Sequence, residues 1–442
     1  MSANSLIFFS GFASSTDCDT VEEHLFNALI KLRLIESRAT CGYSRCGRTD
    51  KGVSAVGQVI ALRMRSNLPK DGSVTTQIEE MDYCSMLNKS LPEDVRILGW
   101  SEVSDGFSSR FSAVSRTYRY FFLRKNMDLT AMQRAADLLI GDHDFRNICK
   151  MDVANVTNFR REIYKAEIVK HSGGGGNEMD EVWMLEITGV AFLWHMVRCI
   201  MALLFLVGSG KELPSIISTL FDIERVPAKP EYFMAPELPL VLYSSGFENL
   251  RFTYNTKNLF SLVSHFEALF ERYHLTAVRI RNVLNFLNEV DVKNDDVSDF
   301  LSHMRKEKVD DGNVGSGSIT WKDALEMLQS HGVVPAQCVS TKKERNKKYE
   351  RNNVYVPLLE RSRAEAYDTR IANLRGAKRS RLNVHEEKKQ RAQASVSLTG
   401  SGDDICDGDE DELQKQEVGG GGSTYDFFKR MRSEGTTTTE DK

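Results

Sequence analysis

The longest apolar stretch of the chain runs from Val190 to Gly208, interrupted only by His195 and Arg198 among ionisable residues. Two such groups argue against a membrane span, because charge at bilayer depth is costly. Phe192–Val207 is expected instead to form an apolar helix. With 41% hydrophobic and 9% aromatic residues, the chain has the side chains for a sizeable core. Its 442 residues suit two or three domains, or one large domain with appendages. Arg198 needs a partner, since charged groups are almost never fully buried unpaired.

Charge is strongly segregated. Residues 341–391 hold 16 Lys/Arg against 7 Asp/Glu, and residues 401–420 hold 8 Asp/Glu against one Lys. Such blocks mark solvated or disordered interaction segments. Residues 1–250 carry 27 basic and 31 acidic side chains. A nucleic acid bound there requires basic groups gathered on one face, because total charge offers no attraction. The eight cysteines are scattered with no CxxC pair, which points to reduced thiols in an intracellular protein and no metal site. The start of the chain lacks a basic-then-apolar signal pattern.

Along the chain, Leu6–Phe9 reads as a short strand and Ser2-Ala3-Asn4 as none. Val21–Glu36 has helical spacing, with cap candidates Asp19 and Thr20. Residues 42–52 read as a glycine-punctuated loop. Gln58–Arg65 and Val95–Val103 read as strands, and residues 81–90 as a short helix. Thr117–Leu123 is β-rich, and Thr130–Leu139 is helical. Glu162–Lys170 and Val182–Thr188 suggest paired strands joined through Gly173–Gly176, and Leu240–Ser244 a closing strand. Leu259–Tyr273 and Trp321–Leu328 read as helices of an extension. Beyond about 340 the chain is expected to be disordered apart from short helical pieces.

The chemistry-bearing segment is Cys46-Gly47-Arg48-Thr49-Asp50-Lys51-Gly52. Glycines at 42, 47, 52 and 57 allow tight turns and close ligand approach. Arg45, Arg48 and Lys51 surround one carboxylate, a setting expected to keep Asp50 ionised at neutral pH. On chemistry alone, a surface turn with an Arg–Asp pair fits the same residues.

Four ordered segments decide between these readings. Cys46-Gly47-Arg48-Thr49-Asp50-Lys51-Gly52-Val53-Ser54-Ala55 closely resembles the signature of the TruA-type tRNA pseudouridine synthases. Arg116-Thr117-Tyr118-Arg119-Tyr120, Phe192-Leu193-Trp194-His195-Met196-Val197-Arg198, and Ala235-Pro236 followed by Leu240-Val241-Leu242 resemble the later motifs. The resemblance covers roughly residues 6–250. Cys46, Lys51, Gly11–Ser15 and Val356–Arg361 resemble the eukaryotic branch acting at positions 38 and 39 of the anticodon stem-loop.

The resemblance implies an α+β fold of two similar mixed halves, with side-by-side antiparallel sheets and a cleft between them. Residues 1–115 and 116–250 would be those halves, 251–335 a helical extension, and 336–442 a charged, largely disordered tail. It implies that uridine is isomerised to pseudouridine in tRNA, without metal or organic cofactor. Asp50 would be the catalytic residue at ribose C1′, either as a nucleophile forming an ester or as a base removing a sugar proton. Arg48, Lys51, Tyr118, Arg198 and His195 would bind substrate. Arg48 suits a carboxylate or phosphate, and Tyr118 would stack on the flipped base or help move a proton at C5. Tyr120 lies on the same strand face as Tyr118. Arg198 would form a salt bridge to Asp50, and His195, three residues earlier, would share its helical face. Trp194 reads as packing.

Arg45, Lys51, Arg63, Arg65, Arg116 and Arg119 are candidate phosphate contacts. tRNA, a homodimer, no membrane, and a location in cytoplasm and nucleus complete the expectation. Lys342–Lys348 is a weak import signal. The first strand looks short for the family, so either that strand is incomplete or another segment covers the edge. The rival readings are a catalytically inactive RNA-binding protein on the same scaffold, a carboxylate hydrolase acting on a nucleoside or sugar, and an interaction protein whose tail carries the function.

Overall fold

A computed structural model of the protein describes residues 2–4, 11–13, 19–68, 79–171, 181–293, 318–321, 323, 350–351 and 354–376. Within them runs one mixed α/β architecture. The strands that matter are β1 (Ser2–Asn4), β2 (Ser44–Arg45), β3 (Ser54–Gln58), β4 (Ile60–Ala61) and β5 (Val95–Ile97), followed by β6 (Ala113–Leu123), β7 (Gly141–Asp144), β8 (Arg160–Lys170), β9 (Val182–Gly189) and β10 (Leu240–Phe247). The helices are α1 (Val21–Lys31), α2 (Tyr83–Ser90), α3 (Leu129–Asp137), α4 (Met196–Gly208), α5 (Ile216–Phe221) and α6 (Thr256–Asn288).

Eight strands form one sheet in the order β5-β1-β3-β10-β6-β9-β8-β7, while β2 and β4 pair separately. Neighbours in the large sheet are antiparallel except β3 and β10, which run parallel with Ala55 opposite Leu242. The antiparallel strands expected on either side of residue 115 are therefore joined into one sheet by a parallel seam. At that seam a β-carbon on Gly57 would lie 2.4 Å from Ser244 Cα. Only glycine lets the two backbones come so close.

Two large apolar clusters flank the seam. One gathers Leu25, Leu29, Leu87 and Val95 with Phe12. The other gathers Met132, Phe145, Leu185 and Ile187 with most of α4. Every residue of α4 except Arg198 and Leu206 is buried, which explains its all-round apolar sequence. Each fully buried Leu, Ile or Phe contributes about 1.5–3 kcal/mol. A small cluster of Cys46, Ala55, Val59 and Leu242 fills the seam itself.

Most expected elements are present, with corrections. The strand expected over Gln58–Arg65 is instead β3, which ends at Gln58, and the two-residue β4; the strand expected over Val95–Val103 stops at Ile97. Ser2–Asn4 is a strand between β3 and β5, because a strand's place in a sheet overrides its residues' weak propensity. Leu6–Phe9 and Gly173–Gly176 lie outside the described residues, as does most of Trp321–Leu328. The apolar helix begins at Met196, not Phe192. Residues 354–376, expected within a disordered tail, dock on the second cluster. Leu358 is fully buried there, Ala364 N donates to Lys229 O at 2.8 Å, and Tyr367 packs edge-on against Phe159.

Candidate active site

The Asp50 loop leaves β2 and returns into β3. Cys46 N donates to Val59 O at 2.8 Å, and Val59 N donates to Cys46 Sγ at 3.1 Å. Gln58 Nε2 donates to Gly47 O at 2.8 Å. Phe12 N donates to Thr49 O at 3.2 Å, and Val53 N to Asp50 O at 3.1 Å. Backbone bonds thus fix the loop from three sides, and Asp50 presents a partly exposed carboxylate.

The turn between β9 and α4 meets that carboxylate. Trp194 Nε1 donates to Asp50 Oδ1 at 3.3 Å, and His195 Nε2 lies 3.3 Å from Oδ2. The imidazole reaches it because His195 adopts a left-handed backbone at φ 58°, a conformation costing about 1 kcal/mol in a residue with a Cβ. His195 therefore caps α4 instead of sharing a helical face with Arg198. Its Nδ1 is buried without a hydrogen-bond partner among the described residues. Lys150 closes the outer side: its Nζ lies 3.9 Å above the Trp194 ring, and its backbone N donates to Trp194 O at 2.9 Å.

Tyr118 approaches from β6 and packs edge-on against Phe192 at 4.9 Å. Burial holds its phenol well above the ordinary value; Cys46 and Asp50 push the same way and Arg116 opposes them. Tyr120 is core: it is 1% exposed, and its hydroxyl donates to Pro236 O at 2.9 Å.

Arg198 is paired differently from the expectation. Its Nη2 donates to Glu237 Oε2 at 2.8 Å and its Nε to Ala235 O at 2.8 Å. The segment Ala235–Glu237 runs beside the first turn of α4 and fills the guanidinium fork, while Trp194 and His195 occupy both oxygens of Asp50. Glu237 also touches the Asp50 loop, since a β-carbon on Gly52 would lie 2.9 Å from Glu237 Cγ. Gly52 has φ 79°, so the turn suits glycine twice over.

Arg48 and Lys51 are exposed and make no ion pair with a described residue. Among the other candidate phosphate contacts, Arg45 binds the buried carboxylate of Glu22 and Arg119 binds Glu186 at 2.7 Å beneath the Tyr243 ring. Arg63 pairs with exposed Asp105, Arg65 Nη2 meets Met81 Sδ, and Arg116 is buried. Sequence reasoning missed Trp194, Lys150 and Glu237 as site residues. Trp194 was adjacent to His195 in the third motif; no local signal marked the other two.

A family model described as tRNA pseudouridine synthase matches residues 135–248, which include the Trp194–His195 turn and Glu237 but not Asp50. A human tRNA pseudouridine(38/39) synthase is 47% identical over 299 residues, covering 64% of this chain and 62% of that protein. The chain thus spans less than two thirds of that relative. A probable tRNA pseudouridine synthase of Caenorhabditis elegans is 36% identical over 61% of this chain and 72% of its own length. A tRNA pseudouridine synthase A of Thermococcus onnurineus is 32% identical, with 89% of its length covered. With most of two such relatives spanned at this identity, the chain belongs to the tRNA pseudouridine synthase family.

Proposed function

We propose that this protein isomerises uridine to pseudouridine at positions 38 and 39 of the tRNA anticodon stem-loop, with Asp50 as its catalytic residue. One observation carries the reading: the Asp50 carboxylate is met at both oxygens by Trp194 and His195, which approach from the opposite side of the sheet seam. The names of the similar human, bovine and yeast proteins support the positions. Extrusion of the uridine brings ribose C1′ to Asp50. The N1–C1′ bond breaks, the base turns, and C5 bonds to C1′. The C5 proton leaves to solvent and N1 takes one up. Asp50 acts either by attack on C1′ or by removing a sugar proton. Tyr118 stays a neutral phenol at physiological pH, which suits a stacking platform. Arg48 and Lys51 take phosphates, and Arg198 orders the Glu237 side of the site.

Two similar halves meeting at the β3–β10 seam would account for the two apolar clusters on either side of it. A homodimer holding one tRNA is supported by α6. Its Leu262 and Leu269 are buried, whereas Phe260, Phe270, Ile280 and Phe286 are at least half exposed. Leu98, Tyr254, Phe266 and Phe270 also line an apolar groove of about 500 Å³. A second copy would cover that surface. The cytoplasm and nucleus are the proposed compartments.

The test is tritium release from tRNA labelled at uridine C5, followed by product mapping. Wild type should release tritium and Asp50→Ala should not, while both bind tRNA. Binding without release by wild type would favour the inactive RNA-binding protein; equal release by both would remove Asp50 from the chemistry.

A further inference from the structure

Arg116 is a buried cation whose described partners are all main-chain carbonyls. Its Nε and Nη2 donate to Cys46 O at 3.1 and 3.0 Å. Its Nη2 also donates to Arg110 O at 2.8 Å. Its Nη1 donates to Val190 O at 2.6 Å and to Ala113 O at 3.5 Å. The backbone of Arg116 sits in β6, opposite Gly189 of β9 and Ser245 of β10. One rigid fork thus holds the carbonyl that opens the Asp50 loop and the carbonyl that opens the Trp194–His195 turn.

We propose that Arg116 is a positioning residue that sets the separation between Asp50 and the Trp194–His195 turn. This rests on the synthase reading above. The two loops come from β2 and β9, and no β-strand pairing joins them. The planar guanidinium supplies donors on several edges at fixed angles, whereas an ammonium is a point charge on a flexible stem. Lysine at 116 keeps the charge and loses the span. The two loops then drift relative to one another, and a misplacement near 1 Å costs a reaction about 10²-fold.

The test compares Arg116→Lys with Arg361→Lys. Arg361 is also buried and donates to the carbonyls of Val356 and Glu231, away from the Asp50 loop. Single-turnover tritium release at saturating enzyme, tRNA affinity and melting temperature are measured for each. Arg116→Lys should lose about 10²-fold in rate, with tRNA affinity within about threefold of wild type. Arg361→Lys should lose melting temperature at least as much and keep its rate within about threefold. Arg116→Gln, which buries no charge and loads folding least, should repeat the rate loss. The proposal is overturned by a rate within threefold of wild type in the 116 variants, by losses that merely track melting temperature in both arginine positions, or by failure of both 116 variants to fold. No release by wild type would instead overturn the synthase reading.

Discussion

Glu22 and Asp50 are two carboxylates of the N-terminal region with contrasting surroundings. Glu22 lies in the first turn of α1 with its side chain fully buried. Arg45 and Arg38 bind it, and the Tyr43 hydroxyl donates to it at 2.8 Å. Asp50 keeps 29% of its side chain exposed, and its contacts are an indole N–H and an imidazole. A carboxylate committed to full cations is hydrogen-bonded out of reach of chemistry. Asp50 meets no guanidinium or ammonium among the described residues and stays partly open to solvent. The two arginines nearest Asp50 in sequence are divided accordingly: Arg45 goes to Glu22, and Arg48 stays at the surface.

Four measurements break or sharpen this contrast. The largest effect belongs to Asp50→Asn: turnover should fall by at least about 10⁴-fold, with stability to urea changed by less than about 0.5 kcal/mol. A large stability loss would make Asp50 a structural acid like Glu22. Glu22→Gln should do the reverse, lowering stability by about 2 kcal/mol and the melting temperature by about 4–8 °C. Turnover per folded molecule should then stay within about threefold; an activity loss without a stability loss would erase the contrast. Trp194→Phe keeps the ring and removes the N–H on Asp50, so single-turnover release should slow about fivefold to tenfold. An unchanged rate would show that this hydrogen bond carries nothing.

The smallest effect concerns pH. Burial, then the Glu22 charge and hydrogen bond, hold the Tyr43 phenol above its ordinary value. The folded state therefore binds that proton more tightly than the unfolded chain. Its stabilisation is complete below about pH 10, the unfolded value, and is lost as pH rises toward the folded one. Tyr43→Phe should flatten the decline of urea stability between about pH 10 and about pH 11. An identical slope in both proteins would exclude Tyr43 as its source.

The Asp50 loop was legible because its chemistry is local: glycines, cations and one carboxylate lie within a few residues. The paired strands β8 and β9, the cap at Thr20 and the apolar character of α4 were legible for the same reason. Glu237 was not, since its partner Arg198 lies far back in the chain and their meeting depends on how the segment before β10 crosses α4. His195 carries no sequence sign of its left-handed backbone, so helical spacing extended α4 one turn too far. Arg116 resembled a phosphate ligand because a guanidinium satisfied by carbonyls has no complementary acid to betray its burial. Residues 354–376 were hidden inside a strongly charged stretch, where one buried leucine weighs little against the average.

The parallel seam between Ala55 and Leu242 has a consequence for synthesis. At roughly 5–20 residues per second, the ribosome needs on the order of ten seconds or more to deliver β10 after β3. Until then the edge of β3 awaits its neighbour, and the strand that completes the sheet beside the Asp50 loop is missing. On the synthase reading, a nascent chain therefore completes the proposed Asp50 site late, so translation products that stop before residue 240 should be inert however well their earlier helices form.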